Sequence, residues 1–176
     1  MKIFGLAGWS GSGKTTLVVR LLPALVARGV SVSTLKHAHH AFDVDQPGKD
    51  SYEHRKAGAS EVMVSSARRW ALMHEHQGAG EATVEELVGR MTPVDLLLIE
   101  GFKAHEHDKL EVYRRAIGKP LLCLSDPRVV AVASDGPVPE ARVPVLALDD
   151  APGIADFILR RVGLAPAART AKRGAA

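Results

Sequence analysis

The sequence is poor in several features, and each shortage narrows the class of protein. Cys123 is the only cysteine among 176 residues, which excludes an internal disulfide and agrees with a reducing compartment. No apolar run is long enough to span a bilayer, and the first residues enter an apolar strand pattern without the segments of a signal peptide. We therefore expect a cytoplasmic protein that does not bind membranes.

Charge of either sign is not in large excess. The chain has 23 Lys and Arg against 20 Asp and Glu, a formal net charge of +3, and so lacks the basic excess typical of nucleic-acid-binding domains. The last basic residues, between Arg169 and Arg173, lie in an Ala-rich stretch typical of a frayed terminus. We expect no nucleic-acid partner, one nucleotide-binding domain over 1–163, and a flexible basic tail over 164–176.

The most informative stretch, Gly8 to Thr15, reads Gly-Trp-Ser-Gly-Ser-Gly-Lys-Thr and has the spacing of a phosphate-binding loop, or P-loop. An apolar segment precedes it and an amphipathic one follows, so a strand should enter the loop and a helix leave it. Glycines allow successive backbone amides to converge on a phosphate at the helix N-terminus. The residues predicted to bind nucleotide here are Gly8, Ser10, Gly11, Ser12, Gly13, Lys14, Thr15 and Thr16.

Two side chains of this loop and one acid elsewhere suggest a magnesium site. Lys14 should reach the outer phosphates as a point charge, and the Thr15 hydroxyl should ligate Mg²⁺. Glu100 follows a nearly all-apolar segment, Val94 to Ile99, which is typical of a central parallel strand. We predict that Thr15 and Glu100 hold the metal and that Lys14 and Glu100 are catalytic, although an acid after a buried strand can also be a helix cap or a surface charge.

A long polar loop follows the second predicted strand, which ends in Lys36 and His37. Related nucleotide hydrolases keep a switch segment at this point, which contacts the outer phosphate and positions water. We predict that Lys36, His37 and Asp50 contact nucleotide and that Asp45 is catalytic. The alternative is that the loop acids are only solvated and that Asp50 caps the next helix.

The same region contains the histidine-rich run Lys36-His37-Ala38-His39-His40. Imidazoles at this density can ligate zinc or nickel, which gives the alternative hypothesis of a metallochaperone-type GTPase. No cysteine or second histidine pair stands at matching spacing, although His105 and His107 leave the question open. A polar loop beside a nucleotide explains the histidines as well.

The Asn-Lys-x-Asp signature of many guanine-nucleotide proteins is absent. Asp135 follows an apolar strand pattern, and a carboxylate there can accept both donors on a guanine edge, for which adenine has no matching pair. A turn through Asp135-Gly136-Pro137 explains the same residues equally well. The predicted preference is for GTP through Asp135.

The periodicity predicts alternating strands and helices, and hence an α/β three-layer P-loop NTPase fold. Its sheet is mostly parallel, with helices on both faces and some antiparallel strands. Helices are expected at Lys14–Arg28, Tyr52–Ala57, Thr83–Met91 and Gly153–Val162, the third opened by a capping box of Thr83 and Glu86. Strands are expected at Ile3–Ala7, Val30–Leu35, Glu61–Ser65, Trp70–His74, Val94–Ile99, Leu110–Tyr113, Pro120–Leu124, Val129–Ala133 and Val143–Leu148.

These blocks together resemble a known family, the bacterial molybdopterin-guanine dinucleotide biosynthesis adapters called MobB. Beyond the P-loop, the Lys-His-x-His-His and Asp-x-Pro-Gly-Lys-Asp-Ser blocks in this order are the most particular. The blocks that carry the resemblance are Ala7–Thr16, Lys36–His40, Asp45–Tyr52, Arg55–Ala59, Arg69–Met73 and Glu100–Lys103, and it extends to about Ala133-Ser134-Asp135.

The resemblance implies a GTP-binding protein with weak GTPase activity that assists the enzyme joining GMP to molybdopterin. It implies GTP and Mg²⁺ as cofactors, a molybdenum cofactor guanylyltransferase as partner, a homodimer, and molybdopterin itself as a further candidate ligand. By position it gives Gly11–Thr16 to the phosphates and Glu100 to magnesium, with the histidine block and Asp45–Ser51 facing nucleotide or partner. A phosphotransferase kinase is a third hypothesis.

Overall fold

The computed structural model describes residues 1–38 and 42–164. The chain divides into two compact units, one formed by Met1–His37 with the chain from Thr92 onward and the other by Ala38–Met91. The predicted boundaries of a domain over 1–163 and a tail over 164–176 stay a prediction, and the tail beyond Leu164 lies outside the described residues. No helix of the described residues is long and apolar enough to cross a membrane.

The first unit is built on a parallel sheet of six strands in the order β2-β5-β1-β6-β7-β8, and the second contains the antiparallel pair β3-β4. This arrangement confirms the predicted mostly parallel α/β fold. Because the six strands run the same way, their carboxyl ends meet at one edge, where ligands of such sheets bind. The strands are β1 Lys2–Ala7, β2 Val32–Lys36, β3 Glu61–Ser65, β4 Trp70–His74, β5 Leu96–Glu100, β6 Lys109–Tyr113, β7 Val129–Ser134 and β8 Val145–Ala147.

Among the described residues, two of the four α-helices cover one face of the six-stranded sheet. The helices are α1 Lys14–Val26, α2 Asp50–Lys56, α3 Val84–Gly89 and α4 Ala151–Val162. α1 is one continuous helix despite Pro23, and it packs with α4 over alternate residues of the strands. This core positions the N-terminus of α1 at the carboxyl edge of β1. Its fully buried members include Phe4, Leu6, Leu21, Leu25, Leu96, Leu110, Ile154 and Ile158.

The strand predicted over Pro120–Leu124 is wrong, because the chain there forms a 3₁₀ helix over Leu122–Leu124. The reason lies on the opposite face of β6, where Glu111 is fully buried. Its two carboxylate oxygens accept the backbone N–H groups of Leu122 and Cys123 at 2.8 and 2.9 Å. Donors that a strand would give to a neighbouring strand are therefore used by a side chain.

In the second unit, residues 42–91 form the β3-β4 hairpin and the two short helices α2 and α3. α3 begins with the predicted capping box: Thr83 Oγ1 accepts the Glu86 N–H, and Glu86 accepts the Thr83 N–H at 2.8 Å. The alternative in which Asp50 caps α2 is wrong. Lys49 occupies the N-cap position without a side-chain hydrogen bond, and the Ser51 hydroxyl donates instead to Asp45 Oδ1 at 2.8 Å.

Candidate functional site

The P-loop follows β1 at the carboxyl edge of the sheet and is shaped by glycines. Gly8 has φ 144°, and a Cβ at this position would lie 2.6 Å from the Val112 carbonyl oxygen on β6. Gly13 has φ 95° and begins α1 in a left-handed conformation. Both positions therefore require glycine, the first for a close backbone approach and the second for the turn into the helix. The predicted strand, loop and helix context of the motif is confirmed.

The N-terminus of α1 is open to an anion. Gly13 provides no side-chain cap, and the first turn contains no acidic residue. The first amides of a helix have no partner within the helix, and the helix dipole favours negative charge beside them. A phosphate at this point would satisfy both requirements. A cavity of about 440 Å³ opens here, lined by Ser10, Gly11, Gly13, Lys14, Thr15, Thr16, Lys36 and Glu100.

Lys14 lies across this loop. Its ammonium donates to the carbonyl oxygens of Gly8 and Trp9 at 3.0 and 3.1 Å. Burial lowers the pKa of Lys14, Glu100 opposes that shift, and Lys103 and Lys36 add to it. The ammonium is thus held beside the cavity by neutral acceptors, which a phosphate oxygen can replace with a charge-assisted contact.

Thr15, Lys36 and Glu100 meet at a single point on the cavity wall. Thr15 Oγ1 donates to Glu100 Oε1 at 2.8 Å, and Lys36 Nζ lies 3.3 Å from the same hydroxyl and 3.5 Å from the same carboxylate oxygen. The register of the sheet explains this contact, because Lys36 on β2 and Leu6 on β1, the strand that leads into the P-loop, both lie opposite Glu100 on β5. Adjacent ligands of an octahedral Mg²⁺ are about 2.9 Å apart. The two oxygens of Thr15 and Glu100 fit that spacing.

His37 packs beneath the turn that follows Glu100. Its backbone N–H donates to the Glu100 carbonyl at 2.9 Å, and its ring lies 4.5 Å from the Phe102 ring. Gly101 has φ 99°, and a Cβ there would lie 2.8 Å from the His37 Cβ. His37 therefore supports the backbone that carries Glu100 at the end of β5.

A second cavity of about 440 Å³ lies at the carboxyl ends of β7 and β8, with Asp135 and Arg114 in its wall. Asp135 directly follows β7, and its carboxylate accepts a hydrogen bond from Arg114 Nη1 at 2.8 Å. Arg114 also donates through Nε to the Ser12 carbonyl at 3.2 Å. One side chain thus contacts both the P-loop and the acid predicted to select the base.

Asp45 and Asp50 belong to the other unit, Ala38–Met91. Asp45 is nearly buried and accepts from the Ser51 hydroxyl at 2.8 Å and from the Gln46 N–H at 3.1 Å, with Arg55 Nε 3.8 Å away. Asp50 is exposed in the first turn of α2. Through these contacts Asp45 stabilises the loop that precedes α2.

The metallochaperone hypothesis needs a cluster of metal ligands. Among residues 1–38 and 42–164, no group of three or more His, Cys, Asp or Glu side chains is arranged to hold a metal ion. His105 and His107 form a close pair, with their Nδ1 atoms 2.7 Å apart, but no third ligand joins them in that part of the chain. His39 and His40 lie outside the described residues.

The predicted site residues therefore fall into three groups: the P-loop with Lys36, His37 and Glu100, the neighbouring Asp135, and the separate pair Asp45 and Asp50. Sequence reasoning missed Arg114 and Lys103. Arg114 directly follows β6, and Glu100 is the last residue of β5, so a search for charged residues at the carboxyl ends of the strands would have found both. Lys103 lies with its ammonium 4.6 Å from the Trp9 ring centroid, a contact that no sequence pattern indicates.

Comparison with known proteins gives consistent matches. The model of the family described as "Molybdopterin guanine dinucleotide synthesis protein B" (MobB) matches residues 3–135. The chain is 46% identical over 160 residues to the molybdopterin-guanine dinucleotide biosynthesis adapter protein of Escherichia coli (strain K12), covering 89% of this chain and 91% of that protein. The adapter protein of Haemophilus influenzae is 40% identical over 156 residues, covering 89% and 86%.

Solved structures agree with the sequence matches. A crystal structure of molybdopterin-guanine biosynthesis protein B superposes with a TM-score of 0.72 at 26% sequence identity, covering 90% of this chain and 99% of that one. The crystal structure of Bacillus subtilis MobB gives a TM-score of 0.71, covering 92% and 98%, and at 24% identity it supports the fold alone. The P-loop and its neighbours thus lie within the region shared with these proteins.

Proposed function

The chain belongs to the MobB family, and from this membership we propose that it is a GTP-binding adapter protein with weak GTPase activity in the biosynthesis of molybdopterin guanine dinucleotide. In this role the protein acts in the cytoplasm and assists a guanylyltransferase that attaches GMP to molybdopterin. The printed function of its relatives in E. coli and H. influenzae supports the adapter role.

One observation carries the nucleotide part of the proposal. At the open N-terminus of α1, the Thr15 hydroxyl and the Glu100 carboxylate come within 2.8 Å of each other, beside Lys14. A hydroxyl, a carboxylate and a lysine around a glycine-rich loop are the groups that hold a triphosphate with Mg²⁺. The metal, when bound, neutralises charge on the outer phosphates. Lys14 and the loop amides bind and orient the same phosphates.

Guanine preference is assigned to Asp135. Its carboxylate lies in the wall of the second cavity and accepts from Arg114 through Oδ2, and because each carboxylate oxygen has two lone pairs, Oδ1 and the second lone pair of Oδ2 can accept two donors from the edge of a base. Guanine presents two adjacent donors to a carboxylate, whereas adenine presents an acceptor at the corresponding ring nitrogen. The site thus favours GTP over ATP.

The groups beside the P-loop favour slow GTP hydrolysis. Lys14 and Lys36 stabilise negative charge, but fast phosphoryl transfer also needs a group that fixes the attacking water. Asp45, predicted for that task, already accepts a hydrogen bond from the Ser51 hydroxyl and lies 3.8 Å from Arg55 Nε. We infer that GTP mainly shapes a surface that the guanylyltransferase binds, and that hydrolysis by the isolated protein is slow.

The homodimer is supported by the β3-β4 hairpin. Met63, Trp70 and Leu72 share one face of this pair, and they are 61%, 63% and 37% exposed. An isolated two-stranded sheet is marginally stable in water, and its open edges and apolar face favour pairing with another chain. We assign this face to a second copy of the protein.

Two assays test the proposal: GTP binding, and molybdopterin guanylylation by a purified guanylyltransferase with and without the protein. Lys14→Ala should abolish the binding and the stimulation while leaving the melting temperature near that of the wild type, since Lys14 contributes charge rather than core packing. Lys2→Ala is the matched control, because Lys2 is exposed at the amino end of β1, the opposite edge of the sheet.

Failure would take a clear form in these assays. Unchanged GTP affinity in the Lys14 variant would mean that the loop does not bind the nucleotide. Rapid GTP hydrolysis by the isolated protein, or guanylylation that does not respond to it in either nucleotide state, would refute the adapter role.

A further inference from the structure

We propose that Arg114 is a positioning residue that joins base recognition to phosphate binding by holding the Ser12–Gly13 peptide and the Asp135 carboxylate at the same time. This inference rests on the proposed nucleotide site and adds a specificity-determining residue to it. Arg114 directly follows β6, between the strand that leads into the P-loop and the strand that leads into Asp135.

The contact with the P-loop fixes the direction of an amide. Arg114 Nε donates to the Ser12 carbonyl oxygen at 3.2 Å. In a trans peptide the C=O and the following N–H point in opposite directions, so holding the Ser12 oxygen turns the Gly13 N–H away from Arg114. The guanidinium lies close to this peptide, since a Cβ at Gly13 would be 3.6 Å from Nε and 3.7 Å from Nη2. A Gly13 amide fixed in this way is ready to donate to a phosphate.

The contact with Asp135 fixes a carboxylate. Arg114 Nη1 donates to Asp135 Oδ2 at 2.8 Å, at the wall of the second cavity. A charge-assisted hydrogen bond restricts the rotation of the Asp135 side chain, so less entropy is lost when a base binds to its remaining acceptor sites. The same bond keeps the carboxylate beside the cavity instead of turned into solvent.

A purely structural role would not explain this arrangement. The side chains of Arg114 and Asp135 are 39% and 42% exposed, and ion pairs at that exposure contribute little to stability. The geometry instead uses what distinguishes arginine from lysine, a planar fork whose donors point in different fixed directions. A lysine ammonium at this position could hold one of the two acceptors well, but not both in their present places.

The test compares the dissociation constants of GTP, ATP and inorganic tripolyphosphate for the wild type, Arg114→Gln, Arg114→Lys and Asp135→Asn. Tripolyphosphate reports on the P-loop alone, and the ratio of ATP to GTP constants reports on the base. Arg128→Gln is the matched control, because Arg128 directly precedes β7 at the opposite edge of the sheet, is 48% exposed and pairs with Glu106.

We expect Arg114→Gln to weaken tripolyphosphate binding and to lower the preference for GTP over ATP, each by about tenfold, the effect of losing one charge-assisted hydrogen bond. Arg114→Lys should restore only part of either effect. Combined with Asp135→Asn, the Arg114 change should lower the base preference by less than the product of the single effects, as expected for residues that act together. Arg128→Gln should change neither quantity.

The inference is overturned if the tripolyphosphate dissociation constant, or the ratio of the ATP and GTP constants, stays at the wild-type value in both Arg114 variants. It is also overturned if Arg114→Lys binds all three ligands as the wild type does. Should Arg114→Gln fail to fold, the lysine variant, which keeps the charge and the aliphatic stem, still decides between these outcomes. A wild-type protein that binds neither GTP nor tripolyphosphate would instead disprove the proposed function itself.

Discussion

At the scale of single residues, Glu100 has the largest consequence for the chemistry of the site. Its side chain is only 12% exposed, yet its Oε1 is shared between the Thr15 hydroxyl and the Lys36 ammonium. A carboxylate in that position can exchange its contact with Thr15 for a joint interaction with a metal ion. We therefore expect a substitution at Glu100 to separate binding that needs Mg²⁺ from binding that needs only the loop.

Glu100→Gln should reduce GTP affinity about tenfold or more in the presence of Mg²⁺ and change it little when the metal is removed with EDTA. The amide keeps an oxygen that can accept from Thr15, but it lacks the charge that favours a divalent cation. Calorimetric titration under the two conditions measures the difference. Glu106→Gln, at an 88% exposed side chain on the same unit, controls for loss of a negative charge; equal losses with and without metal in the Glu100 variant would remove Glu100 from the metal site.

Single residues also show how far sequence reasoning reaches. Thr15 and Glu100 were predicted together, because the P-loop spacing fixes one and the end of an apolar strand fixes the other. The ion pair of Arg114 with Asp135 was not, because it depends on β6 lying next to β7 in the sheet, and local periodicity does not determine which strands are neighbours. The role of Asp45 in holding its own loop likewise depends on Arg55 and Ser51 folding back on it.

At the scale of elements, β6 is unusual because one of its faces buries charged and polar groups. Lys109 is 1% exposed and pairs with Asp126 at 3.2 Å, and the preceding His107 is 7% exposed with its Nδ1 2.7 Å from that of His105. Gly5 on β1 leaves the space that His107 occupies, since a Cβ there would collide with the imidazole. Burial, and then the charges of Lys109 and His105, lower the pKa of His107 from 6.5 to about 4, against the opposing effect of Asp108 and Asp126.

This histidine should make the folded state sensitive to mild acid. Above pH 6.5 the imidazole is neutral in both the folded and the unfolded state. Between pH 6.5 and 4 it is protonated in the unfolded chain but stays neutral in the folded protein, so the free energy of unfolding falls as pH falls. The loss should approach roughly 3 kcal/mol near pH 4. The free energy of unfolding, measured by urea titration at several pH values from 7 to 4, should fall less steeply with falling pH in His107→Gln than in the wild type. His54→Gln, at an exposed position on α2, is the control, and identical slopes in all three proteins would contradict the prediction.

Elements were predicted well where their signal is local. The capping box of α3 and the hairpin β3-β4 depend on residues a few positions apart and agree with the structure. The strand predicted over Pro120–Leu124 failed because Glu111, on another strand, takes the amides of Leu122 and Cys123. Apolar residues alone do not reveal where a distant carboxylate will accept backbone hydrogen bonds.

At the scale of the whole molecule, the assignment of the hairpin face to a second copy gives a direct test. Trp70→Ser should shift the protein from dimer to monomer in sedimentation velocity at micromolar concentration, because it removes the largest exposed apolar side chain of that face. Val26→Ser is the matched control, since Val26 is exposed to a similar extent, 61%, on the outer side of α1. A Trp70 variant that sediments as the wild type does would place the dimer contact elsewhere or exclude it.

The strand order of the sheet also determines when each strand can pair during synthesis of the chain. β1 pairs with β5, with Lys2 opposite Leu96 and Leu6 opposite Glu100. Its other neighbour, β6, comes later still in the chain. At a synthesis rate of roughly 5 to 20 residues per second, the ribosome needs on the order of 5 to 20 seconds after making β1 to deliver its partner. The strands β3 and β4 are close in sequence and can pair during that interval. A complete phosphate-loop sequence therefore leaves the ribosome well before the sheet that gives it its shape.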